Sequence, residues 1–243
     1  MDYLELAIQT LQEVRRTQAG AVEQAAQAIT AAIQADHLVY IFGATHAGIL
    51  AQEMFYRAGG LVPVNPVLAP GLTTEIKPVT LTSRLERLPG LGSAVLAETP
   101  VETGDVVIVH SVSGRNAAAV EFAQGAHQRG AYVIAVTSLQ YSRSVQPRQG
   151  GMPRLFEIVD LVLDDLAPVG DALVELPGLE QRVGPISTVT GAALINAVVV
   201  RVAELLLERT GDAPIFMSAN LDRGDAHNQR WLDHYRGRLT YLG

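Results

Sequence analysis

Short segments rich in Val and Ile alternate along the sequence with longer segments of helical periodicity, and this alternation limits the fold more than any other feature. Five segments have the composition of strands bounded by turn residues, namely 37–42, 61–67, 105–110, 132–137 and 160–163. Nearly continuous apolar strands are typical of parallel sheets that helices cover on both faces. We therefore predict an α/β fold, a three-layer α-β-α sandwich with a five-stranded parallel sheet.

The segments between the strands carry apolar residues at helical spacing. Residues 3–35 show this pattern on both sides of Gly20, so we predict an N-terminal segment, 1–35, of two helices or one bent helix. Residues 46–58 and 117–128 are predicted to form helices that follow strands.

Composition excludes several classes of function. The chain has 243 residues, with 18 Lys and Arg against 25 Asp and Glu and a formal net charge of −7, which disfavours nucleic acid as a partner. It contains no Cys, so disulfides, thiolate nucleophiles and Cys-ligated metals are excluded, and we expect a cytoplasmic protein. Its length favours one domain over 1–243.

Neither a secretory leader nor a membrane span is expected. The first 16 residues mix acidic and basic residues with apolar ones and lack the long apolar run of a signal peptide. The most apolar segment, 188–207, contains Asn196, Arg201 and Glu204, which would be costly in hydrocarbon. We interpret it as a buried helix of a soluble protein.

Three segments fall outside the alternation. Residues 68–104 are rich in Pro and Gly and are predicted to form a long, functional loop. Residues 141–153 are predicted to form a lid or a surface loop. The C-terminal segment 211–243 concentrates polar residues, which suggests a site or an interface.

Two turns follow predicted strands directly, at residues 43–48 and 111–116. Ligands of parallel sheets bind at the carboxyl ends of the strands, so both turns are candidates. The second offers two hydroxyls, Gly114, an Arg, an Asn and the N–H groups of a helix N-terminus, which together favour a phosphate. The alternative is an ordinary turn in which Ser113 caps the helix.

The first turn matches neither common nucleotide motif. A P-loop requires Lys after its second glycine, but Ile49 follows Gly48. A dinucleotide fingerprint requires Gly where Thr45 stands and an acidic residue near Asn65. An NAD-dependent oxidoreductase is therefore a weak alternative, and no cofactor is predicted.

The order of these features resembles the SIS (sugar isomerase) domain over nearly the whole chain. The resemblance is carried by the glycine turn after the first strand, the helix with Glu53, the Ser-x-Ser-Gly turn at 111–114 and the strand at 132–137. Three longer segments are similar to a bacterial branch of single-domain phosphosugar-binding SIS proteins, namely 43–71, 184–196 and 218–228. The resemblance implies a flavodoxin-like sheet.

The resemblance also implies a phosphate site in the second turn. Ser111, Ser113 and Asn116 would bind the phosphate of a sugar phosphate, together with the backbone N–H groups of Gly114 and Arg115. Asn116 stands where many members have Thr or Ser.

The remaining pocket residues implied by the resemblance lie in two other segments. Thr45 occupies a usual Gly and Ala47 a usual Ser, which removes a hydroxyl from the pocket. His46 is a candidate to bond a sugar hydroxyl, or it has a structural role. Ser187 and Thr188 match the third wall of the pocket, or cap a helix.

Three residues are candidates for acid-base chemistry. Glu53 is the leading base, among apolar neighbours that would raise its pKa; alternatively it pairs with Arg57 at i+4. Glu75 is a second acid/base, a sugar ligand, or a solvated carboxylate. His227 in the C-terminal tail, with Asn220, would reach the pocket of a neighbouring chain.

A metal cluster is the less favoured reading of the same tail. Asp222, Asp225, His227 and His234 lack a recognised ligand motif, and the resemblance implies no catalytic metal.

These interpretations predict an enzyme that acts on a hexose or N-acetylhexosamine 6-phosphate by proton abstraction next to the carbonyl. It would be a dehydratase/lyase or an aldose-ketose isomerase. The alternative is a non-catalytic sugar-phosphate sensor. The expected partners are the small-molecule sugar phosphate and further copies of the chain, in a homodimer or higher oligomer with a shared site.

Overall fold

A computed structural model describes residues 2–242. Met1 and Gly243, the outer ends of the predicted segments 1–35 and 211–243, lie outside the described residues. Five strands form one sheet: β1 Val39–Gly43, β2 Val64–Val67, β3 Val106–His110, β4 Tyr132–Thr137 and β5 Leu161–Asp164. Their order is β2-β1-β3-β4-β5 and every pairing is parallel. The predicted sheet and fold class are confirmed.

The register of the sheet brings the two glycine turns together. Gly43, the last residue of β1, is paired with His110, the last residue of β3, and His110 is in turn paired with Val136. The carboxyl ends of β1 and β3 therefore lie side by side, and the chain segments that follow them share one edge of the sheet.

The helices cover both faces of the sheet. They are α1 Tyr3–Gln34, α2 Ile49–Met54, α3 Thr80–Leu85, α4 Leu91–Ala97, α5 Ala117–Gln128, α6 Leu139–Ser144, α7 Ser187–Thr210 and α8 Gly224–His234. One apolar cluster joins the sheet to α1, α2 and α7, and a second joins its other face to α4, α5 and the C-terminal segment. This is the three-layer arrangement.

The N-terminal segment is a single helix, so of the two predicted alternatives for residues 1–35 the one with two separate helices is wrong. Asp2 and Glu5 form a capping box that starts α1, and the helix runs through Gly20 without interruption. A β-carbon at Gly20 would meet no atom within 4 Å. The long contact of α1 with α7 keeps the helix intact, because most helical stability in proteins comes from tertiary packing.

The predicted helix at 46–58 is shorter than expected. A 3-10 helix covers Thr45–Gly48, and α2 ends at Met54. Phe55 has extended backbone and Tyr56 has a φ of 40°, so the chain leaves the helix there.

The predicted long loop at 68–104 was wrong in its middle, which holds α3 and α4. The N-terminus of α4 is capped from a distance, because the Glu121 carboxylate accepts hydrogen bonds from the N–H groups of Gly90 and Gly92, at 2.8 and 3.1 Å. Such a long-range cap has no local sequence signal. The segment 141–153 likewise begins inside α6.

Two strands were not predicted. Residues Ala172–Val174 (β6) and Val183–Pro185 (β7) pair antiparallel in a separate two-stranded sheet. This hairpin leads directly into α7, which begins at Ser187.

Helix α7 is long and apolar enough to cross a membrane by length and composition alone. Half of its apolar window is buried inside the molecule, where it packs along α1 and against α2. A helix packed inside a protein passes the same test of length and composition, so the burial of half of this window agrees with the interpretation of residues 188–207 as a buried helix.

Candidate functional site

The turn at 111–116 depends on Gly114. This glycine has a φ of +59°, and a β-carbon built on it would lie 2.9 Å from Oγ of Ser142. The N–H of Gly114 donates to the carbonyl of Ser111 at 3.0 Å, and the same carbonyl accepts from the Thr137 hydroxyl at 2.7 Å. One hydrogen bond within the turn and one from Thr137 of β4 therefore hold its shape, and the positive φ at residue 114 requires glycine.

The hydroxyls of Ser111 and Ser113 are unused by the fold. No other residue between 2 and 242 forms a hydrogen bond with either hydroxyl, and both residues line a cleft of about 190 Å³. The cap position of α5 is Asn116, whose side chain does not bond the helix. The alternative reading of Ser113 as a cap is therefore not what the structure shows.

The N-terminus of α5 opens at this same turn. The aligned peptide dipoles of its 12 residues place partial positive charge at the N-terminus, beside Asn116, and this favours a negatively charged group there. The N–H of Ala118 donates to the backbone carbonyl of Glu86 at 3.0 Å, so the residue that follows α3 packs close to the start of α5.

The first turn forms another part of the cleft. Thr45 and His46 both line it, and His46 is exposed. Thr45 has a φ of 58°, a conformation that favours glycine, and its N–H donates to the carbonyl of Leu72 at 2.7 Å. A β-carbon at Gly43 would lie 2.4 Å from the carbonyl oxygen of Ala47, so the turn needs glycine there as well.

Ser187 lines the cleft, but its hydroxyl is already bonded. It donates to Oδ2 of Asp171 at 2.6 Å, while Oδ1 of Asp171 accepts from the backbone N–H of Ser187 at 2.8 Å. Asp171 thus caps α7 and contributes a carboxylate to the cleft. Thr188, its predicted neighbour in the pocket, does not line the cleft.

Two buried ionisable residues lie beneath the turns. His110 lines the cleft, and its Nδ1 is 3.0 Å from the carbonyl oxygen of Ala47. Desolvation lowers the pKa of His110 to about 4, and desolvation likewise raises the pKa of the neighbouring Asp165 to about 8. Both shifts favour the uncharged forms at neutral pH.

Glu86 is a carboxylic acid in the cleft that sequence reasoning missed. It follows α3, inside the segment predicted to be a loop, and it lines the cleft beside Asn116. Burial raises its pKa, which is the direction expected of a group that exchanges protons near neutral pH. No local pattern marks Glu86, because α3 itself was not predicted.

The three residues predicted to be catalytic do not line this cleft within one chain. Glu53 forms an ion pair with Arg57, the alternative considered from the sequence, and accepts a hydrogen bond from Asn196 at 3.0 Å. Glu75 is exposed, and Nε2 of His227 lies 2.8 Å from the carbonyl oxygen of Ile215.

The C-terminal segment packs on its own chain. Phe216, Tyr235 and Leu239 are buried in the apolar cluster below α4 and α5, whereas Asn220 remains exposed. Within residues 2–242, no group of three or more His, Cys, Asp or Glu side chains is placed to hold a metal ion.

A larger cavity, of about 360 Å³, lies elsewhere. Its walls come from β1, β2, α4 and the C-terminal residues, with Tyr40, Asn65 and Tyr241 among them. Glu98 is the acidic residue in its lining, and the turns at 43–48 and 111–116 do not contribute to it. Its apolar lining makes it a poor match for a phosphorylated ligand, so we place the candidate site in the smaller cleft.

The strand order and the two turns at the carboxyl ends of β1 and β3 define a doubly wound, flavodoxin-like α/β protein. Residues 2–138 match the SIS domain family. The chain belongs to this family, as its sequence motifs implied.

Known proteins resemble the chain over most or all of its length. A UPF0309 protein of Shouchella clausii is 42% identical over 246 residues, which covers 100% of both chains. The structure of a phosphoheptose isomerase from Francisella tularensis has a TM-score of 0.56 at 16% identity, covering 83% of this chain and 95% of that one. The Vibrio vulnificus NanR protein complexed with ManNAc-6P has a TM-score of 0.50 at 12% identity, covering 96% and 67%. The two structures share the fold.

Proposed function

We propose that the protein binds a hexose or N-acetylhexosamine 6-phosphate in the cleft, with the phosphate at the turn 111–116. The observation that carries this proposal is the pair of unpartnered hydroxyls, Ser111 and Ser113, at the N-terminus of α5. Hydroxyls and helix N-termini are standard phosphate ligands. The two structural neighbours support the ligand class, since one is an isomerase of a sugar phosphate and the other is complexed with one.

The proposed chemistry is proton abstraction beside the carbonyl of the open-chain sugar. Return of the proton to the adjacent carbon gives isomerisation, whereas loss of a β-substituent gives a lyase or dehydratase reaction. With an N-acetylated C2, isomerisation is blocked and elimination is favoured. Either route needs a base in contact with the sugar.

Glu86 is a base that one chain can supply by itself. It lines the cleft beside the phosphate turn, and burial raises its pKa. In this proposal, a second chain must bring Glu53, Glu75 or His227 to the cleft before any of them can take part in the reaction.

A second chain has a surface on which to dock. Leu4 and Ile8 on α1 are 68% and 56% exposed, and Val200 on α7 is 59% exposed, although the two helices pack together. Large apolar side chains exposed on adjoining helices favour association with another copy. The proposal therefore includes a homodimer or higher oligomer, in the cytoplasm, with Asn220 and His227 near a neighbour's cleft.

The test of the proposed activity is proton exchange in heavy water. Hexose and N-acetylhexosamine 6-phosphates are incubated with the protein, and NMR follows deuterium at C2 and the loss of water or another substituent. The proposal expects exchange with at least one of them, and loss of exchange in Glu86→Gln. Absence of exchange and product throughout the panel contradicts the enzyme proposal.

A non-catalytic sensor is the second candidate, because the free hydroxyls of Ser111 and Ser113 would bind a sugar phosphate whether or not the ligand reacts. A sensor would bind a sugar phosphate at the same turn without exchanging its C2 proton. Binding by the wild-type protein that is unchanged in Glu86→Gln, with no exchange, would support this candidate over the enzyme.

A further inference from the structure

Three arginines lie next to residues that line the cleft: Arg87 follows Glu86, Arg115 precedes Asn116, and Arg148 contacts Asn116, although none of the three arginines lines the cleft itself. The backbone N–H of Arg148 donates to the carbonyl of Arg115 at 3.4 Å, and the side-chain amide of Gln149 donates to the carbonyl of Arg87 at 3.2 Å. The segment after α6 thus crosses from the phosphate turn to the end of α3. Its hydrogen bonds hold Arg87, Arg115 and Arg148 in one region.

Arg148 is anchored to the cleft itself. Its Nε donates to Oδ1 of Asn116 at 2.8 Å, and its charge interacts with Glu86 and Tyr141. Asn116, Glu86 and Tyr141 all line the cleft. The guanidinium therefore lies beside the residue that ends the phosphate turn, with the Nε bond fixing one edge and leaving its terminal nitrogens for another group.

The positive charge of this cluster is poorly compensated. Within residues 2–242, Arg87, Arg115 and Arg148 form no ion pair, and the carboxyl that acts on Arg148 is that of Glu86. Burial lowers the pKa of Arg148, and the charges of Arg115 and Arg87 lower it further. A chain with a net charge of −7 holds three cations together here, and such a cluster favours an anion.

The phosphate is not the obvious occupant of this cluster, because the turn already offers two free hydroxyls and a helix N-terminus for it. Guanidinium groups present a planar fork of donors that matches a carboxylate. We propose that the rim formed by Arg87, Arg115 and Arg148 binds a second anionic group, a carboxylate, of the same ligand. This inference rests on the proposed function and narrows its substrate class to phosphorylated sugars that also carry an acid.

Two unreactive ligands that differ in one group test the inference. 6-Phosphogluconate and glucitol 6-phosphate share an open chain and a terminal phosphate, but only the first has a carboxylate at C1. Isothermal titration of the wild-type protein should show about 10-fold or tighter binding of 6-phosphogluconate, the effect of one or more charge-assisted hydrogen bonds. Arg148→Gln should remove this preference and leave the affinity for glucitol 6-phosphate within about twofold, as expected for loss of a contact to the carboxylate alone.

Two further variants test whether the preference depends on Arg148 itself and on its guanidinium group, rather than on any nearby positive charge. Arg143→Gln removes the same charge from a neighbouring exposed arginine, which stacks over Phe156, and should keep the preference. Arg148→Lys keeps the charge but loses the fork and should retain only part of the preference. Thermal unfolding of each variant shows that the fold is intact.

The other outcomes overturn the inference in different ways. Equal wild-type affinities for the two ligands exclude a carboxylate subsite. An equal loss of both affinities in Arg148→Gln means that the arginines bind the phosphate instead. If neither ligand binds, nor any sugar phosphate in the exchange panel, the proposed function fails and the inference fails with it.

Discussion

Nε2 of His110 lies 4.0 Å from Oδ2 of Asp165, and neither atom has a hydrogen-bond partner among the described residues. Both side chains are buried under the cleft. With the pKa of His110 lowered to about 4 and that of Asp165 raised to about 8 by desolvation, the pair is uncharged at pH 7. The His110 Nδ1 proton is then donated to the carbonyl of Ala47, and Nε2 faces a protonated carboxyl.

This pair predicts an unusual pH dependence of stability. Between pH 6.5 and 8, folded Asp165 holds a proton that the unfolded chain releases, so the free energy of unfolding falls as pH rises. The slope is about 1.4 kcal/mol per pH unit, or about 2 kcal/mol over this range. Below pH 6.5, His110 is protonated in the unfolded chain but stays neutral in the folded protein down to about pH 4. The proton that the unfolded chain gains at His110 then offsets the proton that the folded protein holds at Asp165, so stability no longer depends on pH through this pair.

Asp165→Asn should therefore remove the decline above pH 6.5 and leave only the loss of stability in acid that His110 causes. Urea unfolding at several pH values measures both effects. Asp222→Asn, an exposed position, serves as the control and should follow the wild-type curve. A wild-type stability that stays flat or rises from pH 6.5 to 8 would show that Asp165 is ionised in the folded protein.

Thr45 is a strained residue in the first turn. A β-branched side chain at a φ of 58° costs about 1–2 kcal/mol, of which Gly would recover part after its own entropy cost of about 0.5–1 kcal/mol. Thr45→Gly should thus raise the free energy of unfolding by about 0.5–1 kcal/mol in urea unfolding. Thr17→Gly, in the middle of α1, should lower it. Destabilisation by both changes would mean that Thr45 makes compensating contacts.

Ser113→Ala separates ligand binding from folding. The hydroxyl has no partner within residues 2–242, so its removal should leave the free energy of unfolding within about 0.5 kcal/mol of wild type. Sugar-phosphate affinity, measured by titration calorimetry, should fall about 10-fold because a hydrogen bond to the phosphate is lost. Ser93→Ala, at an exposed position of α4, should change neither quantity. Unchanged affinity in Ser113→Ala would move the phosphate away from this turn.

The sequence predicted what depends on local pattern. The runs of Val and Ile identified all five strands of the main sheet, and α5 was predicted at its observed bounds, because burial and periodicity are local properties. The site was predicted only in part. Ser111, Ser113 and Asn116 follow a recognisable strand, whereas Glu86 and Asp171 reach the cleft through α3 and through a hairpin that distant contacts stabilise.

Glu53 shows a second limit of sequence reasoning. Local spacing offered Arg57 as a partner, but α2 ends one residue after Glu53, and the carboxylate also accepts a hydrogen bond from Asn196. The tertiary partner Asn196, 143 residues further along the chain, could not be read from local spacing.

Subunit complementation tests the shared site. If the chain that forms the cleft supplies Glu86 and its partner supplies His227, mixing Glu86→Gln and His227→Ala subunits should restore about a quarter of the activity to a dimer that is inactive in either variant alone, since random exchange of subunits places both intact residues in only some sites. The measurement is deuterium exchange after subunit exchange. Sedimentation of the wild-type protein as a fully active monomer at micromolar concentration would contradict the shared site. Failure of active oligomers to complement would confine both residues to one chain.

The most direct test of the central claim is an amide NMR titration of the labelled protein with N-acetylglucosamine 6-phosphate and, in parallel, with N-acetylglucosamine. We predict that the phosphorylated sugar shifts the backbone amide signals of residues 111–117 most strongly, because its phosphate sits at the start of α5, and that unphosphorylated N-acetylglucosamine leaves these signals unchanged. Shifts confined to the apolar cavity around Tyr40 and Tyr241, or equal shifts with both sugars, would contradict a phosphate site at the turn that follows β3.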